Sequence, residues 1–372
     1  MSTRLLRKSP KTPLLLFLLV LVSSYLIPRN LIAQQVAAEP KVSIPDLQKK
    51  AENGDPEAQL ALAKAYDNGG GVAQSDNLAA KWYRTSADQG NATAQNNLGL
   101  MYRTGRGVEQ SKEEAVTWYR KAAKQNHASA MFNIGTAYYN GDGVAIDDTT
   151  AYAWFLLAKE FGSEPAVDAV ERMRTDFSSR ELQAFVKVGD MYSKGDEIQS
   201  NKTKAIDWYR KAATNDGPEV KVKLALLLLQ PTDPKSYDEV RNLCEQAAAM
   251  QSAPGAYCVS LLYEKGWGVP MDSKLALKWL AQAADLGHPV AMMRLGQIYW
   301  NGAGVKQDKI LAYKYALLAS TTDLPDGKAE KEAFEKEMTA KQIKQGRAKA
   351  IEWNWEHKPL MLRKGTMKGI EP

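Results

Sequence analysis

Apolar and polar positions along most of the chain follow a helical rhythm that repeats at a fixed distance. From Ala94 to Asn126 the sequence AQNNLGLMYRTGRGVEQSKEEAVTWYRKAAKQN contains two amphipathic stretches joined by a Gly-x-Gly-Val turn. Its tyrosine, valine and tryptophan belong to series spaced 36 residues apart: Tyr66, Tyr102 and Tyr138; Val72, Val108 and Val144; Trp82, Trp118 and Trp154. The same offset separates Tyr263 from Tyr299. A fixed period of this length predicts a solenoid of stacked helix–turn–helix units.

About seven units are predicted, in two blocks. Residues 55–162 contain the first three units, and residues 186–321 contain the other four. Between them, residues 163–185 have their own helical periodicity but break the register, which predicts an inserted helical element. The fifth unit, Pro218 to Gln251, is degenerate because Leu228 stands where the other units have tyrosine. The predicted fold is therefore all-α, a superhelical α/α solenoid.

Small residues and helix caps recur where stacked helices require them. Three residues before each tyrosine position stand Ala63, Gly99, Gly135, Gly189, Ala225, Ser260 and Gly296. Small side chains there let neighbouring helices approach closely, while the aromatic rings fill the space between them. Turn glycines such as Gly105 and Gly107 follow the first helix of a unit, where a left-handed cap needs no Cβ. Three residues past each turn valine position stands a residue suited to cap the second helix: Ser75, Ser111, Asp147, Asn201, Asp272 and Asp308.

These residues together resemble the Sel1-like repeat family, a relative of the tetratricopeptide repeats. The family pattern A-x3-L-G-x-x-Y-x-x-G-x-G-V, followed by A-x-x-W-Y-x-K-A-A, is met closely by Ala94 to Ala123 and by Ala130 to Ala158. The resemblance covers roughly residues 55–320. It implies that the insertion 163–185 closes the first block and that residues 322–357 form a C-terminal capping helix. It also implies a scaffold that binds proteins and has no catalytic activity.

The N-terminus has the layout of a secretory signal. Basic residues precede the apolar run Leu14 to Val22, and small residues suited to cleavage follow at Ala33 and Ala38. The run is shorter than the roughly 20 residues that a membrane-spanning helix prefers. Residues 1–38 are therefore expected to be a cleaved signal peptide, which would send the chain to the periplasm or cell envelope. The alternative is an uncleaved anchor in the inner membrane. Residues 39–54 are expected to be a linker.

The formal net charge of +6 comes from the two ends of the chain. Four basic residues lie within the first eleven positions, and the segment from Lys341 onward carries eight Lys and Arg against three Glu. The repeat region between them is slightly acidic, so charge gives no argument for nucleic acid as a partner. Residues 358–372 are expected to be a basic tail. The aromatic and basic mixture from Trp353 to Lys368 suits contact with a membrane or cell-wall surface, although a solvated tail is the commoner case.

No motif for catalysis, for a metal or for a cofactor is present. His127 and His288 occupy equivalent positions between units, and no H-E-x-x-H, C-x-x-C, G-x-S-x-G or G-x-x-x-x-G-K-[ST] pattern occurs. Gly69-Gly70-Gly71 follows a predicted helix and not a strand, so its place in the repeat explains it better than phosphate binding does. We expect no enzyme activity, no metal and no cofactor.

A row of residues on the first helices is the predicted binding surface. Five residues before each tyrosine position stand Ala61, Asn97, Asn133, Lys187, Lys223, Cys258 and Arg294, which we call the first-helix row. Helical spacing places them on one face, and first helices line the concave side of such arrays. In the binding hypothesis, Asn97 and Asn133 bond the backbone of a peptide, and Lys187, Lys223 and Arg294 meet its acidic groups. The alternative is that the amides satisfy neighbouring repeats and the cations are solvated.

The chain has two cysteines, Cys244 and Cys258, on either side of the turn between the fifth and sixth units. Antiparallel neighbouring helices would put them at similar height, which suits a disulfide if the side chains face each other. In an oxidising compartment such a bond would brace the degenerate unit. Two buried thiols acting as small apolar side chains are the alternative, and the sequence does not decide between them.

The sequence thus predicts a non-catalytic scaffold of the cell envelope that binds a protein or peptide partner on the first helices. One alternative is a structural envelope component that contacts peptidoglycan or polysaccharide. A more distant alternative is a hydrolase like the β-lactamases described among cysteine-rich Sel1-like proteins. That activity would need a nucleophile–base cluster, which the sequence lacks.

Overall fold

The computed structural model describes residues 43–176, 180–214, 217–229 and 234–362. Within these ranges it contains 18 α-helices and one short 3₁₀ helix, and no strand. The all-α solenoid predicted from the repeat is confirmed. The predicted signal peptide or anchor, residues 1–38, lies outside the described residues, and so does the basic tail beyond residue 362.

Each of the seven units contributes a first and a second helix. The first helices are α2 (Pro56–Asn68), α4 (Ala92–Thr104), α6 (Ala128–Asn140), α9 (Glu181–Lys194), α11 (Pro218–Leu228), α13 (Ala253–Lys265) and α15 (Pro289–Asn301). The second helices are α3 (Asp76–Asp88), α5 (Lys112–Ala123), α7 (Asp148–Glu160), α10 (Lys202–Ala213), α12 (Tyr237–Ala249), α14 (Ser273–Asp285) and α16 (Lys309–Ser320). The remaining elements are α1 (Ile44–Glu52), α8 (Glu164–Asp176), α17 (Pro325–Glu337), α18 (Ala340–Leu362) and the 3₁₀ helix Pro234–Ser236.

The predicted caps set the ends of these helices. The side chain of Asp147 accepts a hydrogen bond from the backbone N–H of Thr150 at 2.9 Å, so it caps α7. Gly105 ends α4 with a φ of 72°, in the left-handed region that favours glycine. The caps of α6 and α15 were not predicted: the Nδ1 atoms of His127 and His288 accept hydrogen bonds from backbone N–H groups at the starts of these helices. Both histidines therefore have a structural role between units.

Consecutive units are joined by hydrogen bonds that repeat with the sequence. The buried side chain of Gln59 on α2 donates to the carbonyl of Ala51 at 3.0 Å. The side chain of Gln95 on α4, also buried, donates in the same way to the carbonyl of Ala87 at 3.1 Å. Because a buried amide without a partner would be costly, each bond fixes how far one unit slides along the next.

A turn glycine lets the second and third units rest on the units before them. Gly107 has a φ of 66°, and a Cβ on it would clash with the backbone carbonyl of Asp76, at the start of the preceding second helix. Gly143 lies in the same way against the backbone of Lys112. A side chain at either position would push the two units apart, which explains the second glycine of the Gly-x-Gly-Val turn.

The assignment of residues 39–54 to a linker is wrong for its described C-terminal part. Residues Ile44–Glu52 form α1, which buries Ala51 and packs Leu47 beside Leu62 of the first unit. The turn of that unit rests on α1, because Gly71 lies against Ile44. Helix α1 therefore takes the place of a preceding second helix. A helix of nine residues is marginal alone, so these tertiary contacts stabilise it.

The insertion and the C-terminal cap differ in detail from the prediction. The insertion forms α8, which buries Ala166, Val170 and Met173, but α9 begins at Glu181, within the range 163–185 assigned to the insertion. The predicted single capping helix 322–357 is two helices, α17 and α18. The break follows from a capping box. The Gln342 N–H donates to Thr339 Oγ1 at 3.3 Å, and the Thr339 N–H donates to Gln342 Oε1 at 2.9 Å.

Helix α18 lies along the second helices at the end of the array. Gly346 allows this approach, since a Cβ there would lie 2.6 Å from the ring of Tyr313 on α16. Ala350 and Trp353 are buried in the same cluster as Leu280 and Leu318. One face of α18 is therefore fixed against α16, and the opposite face points away from it.

Candidate partner-binding surface

The five predicted binding residues lie half-buried on their first helices, and each is held by a neighbouring side chain. For the two asparagines the neighbours are other amides. Asn133 Nδ2 donates to Asn96 Oδ1 at 2.9 Å, and Asn96 Nδ2 donates to Asn97 Oδ1 at 3.2 Å. The amides of the second and third units thus form one connected chain, which holds Asn97 and Asn133 in fixed orientations.

Lys187 is anchored to the preceding unit by two groups. Its Nζ donates to Asp147 Oδ2 at 3.1 Å and to Thr150 Oγ1 at 2.6 Å. Burial alone would raise the pKa of Asp147, but hydrogen bonds from Thr150 and Lys187 hold this pKa at about 2. Asp147 therefore caps α7 and also pairs with Lys187, and it stays ionised at neutral pH.

Lys223 is paired even more closely. Its Nζ donates to both carboxylate oxygens of Asp190, at 2.6 and 2.8 Å. The hydroxyl of Tyr209 donates to Asp190 Oδ1 at 2.5 Å, and burial together with this contact raises the pKa of Tyr209 well above its usual range. Asp190 thus accepts bonds from the fourth and fifth units at once and ties them together.

Arg294 repeats the arrangement between the sixth and seventh units. Its Nη2 donates to Glu264 Oε2 at 2.6 Å, and its Nη1 approaches the hydroxyl of Tyr257 at 3.5 Å. The ring of Tyr257 stacks on His288 with ring centroids 4.3 Å apart. Burial alone would raise the pKa of Glu264, but the hydrogen bond from Arg294 lowers it.

The structure places all five predicted residues on the described first helices but gives each cation a carboxylate partner. Sequence reasoning did not predict that Asp147, Asp190 and Glu264 pair with these cations. A signal for two of them was present, because Asp190 lies 33 residues before Lys223 and Glu264 lies 30 residues before Arg294. Stacked units of 36 residues bring positions at such spacings together. Whether the row contacts a partner stays a prediction.

The row also continues into the cap, which the sequence analysis missed. Glu330 on α17 lies 36 residues after Arg294, in the position that the next unit would give to the row. A Cβ on Gly327 would lie 2.8 Å from the carbonyl of Ala319, and Gly255, 72 residues earlier, makes the corresponding close approach to Ala247. Helix α17 is thus an eighth first helix, and α18 does not pack as its second.

Two large apolar side chains are exposed on the first helices. Leu226 on α11 is 54% exposed, and Tyr139 at the end of α6 is 49% exposed. Leu226 lies one helical turn after Lys223, on the same side of α11. The degenerate fifth unit therefore presents an apolar side chain beside the Lys223–Asp190 ion pair. In the fourth unit, the position equivalent to Leu226 is occupied by Asp190 itself.

The inserted helix opens a groove on the side of the second helices. This groove, of about 580 Å³, lies between α7, α8, α9 and α10, and its floor includes Tyr152, Leu156 and Trp208. Glu160 in its wall accepts hydrogen bonds from Lys204 Nζ at 2.6 Å and from Trp208 Nε1 at 3.2 Å. Its lining contains as many carboxylates as cations, so its charge does not select one class of ligand.

Cys244 and Cys258 form a disulfide that joins α12 to α13, with Cα atoms 5.7 Å apart. Both residues are buried. Of the two alternatives that the sequence left open, the structure has the bonded one. The disulfide links the degenerate fifth unit to the regular sixth unit.

The described residues offer neither a metal site nor a membrane-spanning helix. Within residues 43–176, 180–214, 217–229 and 234–362, no group of three or more His, Cys, Asp and Glu is placed to hold a metal ion. In the same part of the chain, no helix combines the length and apolar character needed to cross a bilayer.

Stacked helix pairs of nearly constant length, seated on one another through glycine turns, define an α-solenoid repeat protein. Residues 56–91, 92–127, 128–161, 186–217, 253–288 and 289–321 match the Sel1 repeat. These six stretches make up more than half of the chain, which belongs to the Sel1 repeat family. Sel1 repeat proteins generally mediate protein–protein interactions and are typically scaffolds without catalytic activity. The matched stretches leave out the insertion and the degenerate fifth unit.

Individual proteins with similarity to this chain come from bacteria and from a yeast. Chitin synthase regulatory factor 3 of Schizosaccharomyces pombe is 31% identical over 116 residues, which is 30% of this chain and 12% of that protein. The chain thus spans about an eighth of the length of this curated relative. The solved structure of c5321, a protective antigen present in uropathogenic Escherichia coli strains, is 26% identical with a TM-score of 0.45, over 88% of this chain and 75% of the other. The solved structure of a Sel1 repeat protein from Oxalobacter formigenes is 21% identical with a TM-score of 0.44, and the match covers 85% of this chain and 90% of that protein.

Proposed function

We propose that this chain is a non-catalytic scaffold of the cell envelope that binds a protein or peptide partner on its first helices. The observation that carries the proposal is Leu226, a large apolar side chain 54% exposed beside the Lys223–Asp190 ion pair. Protein interfaces commonly combine an apolar anchor with a polar surround that excludes water. The fifth unit supplies both features where the repeat pattern is weakest.

The first-helix row supports the same proposal through its unused hydrogen-bonding capacity. A lysine ammonium has three donors, and Lys223 directs two hydrogen bonds to Asp190. An arginine has five donors, so Arg294 can hold Glu264 and still donate to a partner. Because these cations are already fixed in place, a partner's carbonyl or carboxylate group would meet donors that lose little conformational entropy on binding.

Two observations support the envelope as the location. The first 38 residues have the layout of an export signal. The disulfide between Cys244 and Cys258 belongs to a class of bond that persists mainly in oxidising compartments. N-terminal sequencing of the protein purified from its own cells tests the export step. We expect the mature chain to begin after Ala33 or Ala38, and an intact N-terminus would favour the anchored alternative.

Site-specific photocrosslinking in living cells tests the binding surface. A photoreactive residue in place of Leu226 is expected to give a discrete adduct with one partner. The matched control carries the same residue at Glu245, which is exposed on the second helix α12 of the same unit. The double variant Lys187→Glu, Arg294→Glu is expected to weaken the Leu226 adduct.

Three outcomes would contradict the proposal for this face. Equal adducts from positions 226 and 245 would show that the contact is not specific. No adduct from 226 would remove the apolar anchor, and an adduct with peptidoglycan strands would favour the structural alternative. Turnover of a chromogenic β-lactam by the purified chain would contradict the non-catalytic part of the proposal.

A further inference from the structure

Helix α18 has a second apolar face besides the one packed against the array. Its buried face contains Gly346, Ala350 and Trp353 and packs against α16. On the other side lie Ala340, Ala348, Ile351 and Trp355, which we call the α18 stripe. At about 100° per residue these four positions fall within an arc of about 80°. The stripe therefore runs along the side of α18 that the core leaves uncovered.

Three of the four side chains of the stripe are exposed to solvent. Trp355 is 63% exposed, Ala340 and Ala348 are also exposed, and Ile351 is half-buried. Ala348 and Ile351, with Ile343 and Lys344, form an open surface along the helix. A tryptophan exposed to this degree beside other apolar side chains is uncommon on a soluble surface and marks an interaction site.

Cations surround the N-terminal half of the stripe. Lys344 lies within it and Lys341 lies on its flank, and neither lysine pairs with a carboxylate in the described part of the chain. Arg347 lies on the other flank, where it approaches Glu335 at 3.6 Å. From Lys341 onward the sequence carries eight Lys and Arg against three Glu, so the basic character continues beyond the stripe.

We propose that the α18 stripe docks on an anionic phospholipid membrane. Ile351 and Trp355 would enter the interface between headgroups and acyl chains, while Lys341 and Lys344 would contact the headgroups. An apolar stripe with tryptophan and flanking lysines is the pattern of helices that lie in the plane of such a membrane. This surface faces away from the packed second helices and is separate from the first-helix row, so it would leave the row accessible to a partner.

Vesicle co-sedimentation tests the proposal. A form comprising residues 39–372 avoids binding through the N-terminal apolar run, and every apolar cluster of the described residues lies within it. We expect it to bind vesicles of equal parts phosphatidylglycerol and phosphatidylcholine, less so as salt is raised, and not to bind phosphatidylcholine alone. The variant Lys341→Glu, Lys344→Glu is expected to lower the partition coefficient about thirtyfold or more. The variant Ile351→Ser, Trp355→Ser is expected to lower it about tenfold or more.

The matched control reverses two exposed lysines elsewhere, Lys274→Glu and Lys278→Glu on α14, with the same change in net charge. It is expected to bind like the unaltered protein. Thermal unfolding followed by circular dichroism checks that each variant is folded, and the lysine pair decides the question if the Ile351 variant unfolds early. The proposal is overturned by equal binding to both kinds of vesicle or by no binding to the anionic ones. It is also overturned if the α18 variants bind normally, or if they alter the oligomeric state without lipid.

Discussion

The carboxylate of Glu330 makes the docking of α17 sensitive to pH. Both of its oxygens are buried, and neither has a hydrogen-bond partner among the described residues. Burial raises the pKa of Glu330 to about 7, and the nearby charge of Asp326 adds to this rise. The amide of Gln297 opposes the rise but is not placed for a well-formed hydrogen bond.

The sign of the effect follows from proton binding. An acid whose pKa is higher in the folded chain holds its proton more tightly there, so stability is greatest below pH 4.5 and falls as the pH rises toward 7. A rise in pKa from 4.5 to about 7 corresponds to roughly 3 kcal/mol if the whole shift were expressed. Because the residue is only half-buried, solvent screening reduces the effect, and we expect about 1–2 kcal/mol.

Replacing Glu330 with glutamine removes the charge and keeps the shape. We expect Glu330→Gln to stabilise the docked state of α17 by about 1–2 kcal/mol at pH 8 and to change it little at pH 4. Hydrogen exchange of the α17 amides measures this locally, which an unfolding curve of the whole chain would not. The control Glu332→Gln changes an exposed carboxylate of the same helix. If the two variants gave the same exchange rates at pH 8, the burial argument would be refuted.

Three further predictions concern the repeat, its caps and the disulfide. Gly107→Ala should destabilise the protein by about 3 kcal/mol in urea unfolding, because the Cβ would both strain the backbone and clash with Asp76. In contrast, Gly304→Ala should cost only about 1 kcal/mol, because it has a similar φ but no neighbour within 4 Å. Burial lowers the pKa of His127, so the folded chain keeps the imidazole neutral and its contribution to stability falls as the pH drops below 6.5. His127→Asn should remove the resulting fall in melting temperature between pH 7.5 and 5.5, worth about 1 kcal/mol. Cys244→Ala with Cys258→Ala should cost about 3 kcal/mol, and a reductant should lower the unfolding midpoint of the native chain but not of the variant.

The repeat period made most of the fold predictable. Apolar spacing, glycine turns and N-caps all indicated the same helices. A sequence specifies one structure when such independent local signals agree. The misses were short or irregular elements. Helix α1 has nine residues, and its stability comes from contacts of Leu47 and Ala51 that no local pattern reveals. The break between α17 and α18 did have a local signal, the Thr339–Gln342 capping box, which was read as part of a continuous helix.

The positions of the candidate binding residues were predictable from the sequence, but their pairing with carboxylates was not. The spacing of the row placed Lys187, Lys223 and Arg294 on the first helices, where the structure has them. Their carboxylate partners lie in the preceding unit, and side-chain pairing across units depends on how the helices stack. The exposure of Leu226 was hidden for a related reason. A run of leucines in α11 has the same composition whether one of its members faces the core or the solvent.

The packing of the second and third units on the units before them has a consequence for how such chains change length over evolution. Gly107 and Gly143 each pack against backbone atoms at the start of the preceding second helix. Every unit has such backbone atoms, whatever its side chains are. A duplicated copy of a whole unit could therefore pack against the preceding unit without compensating substitutions. A duplication that was not a multiple of the period would place a side chain where the glycine belongs. Gene copying in steps of one unit is thus tolerated, and individual units can diverge, as the fifth has done, after they are in place.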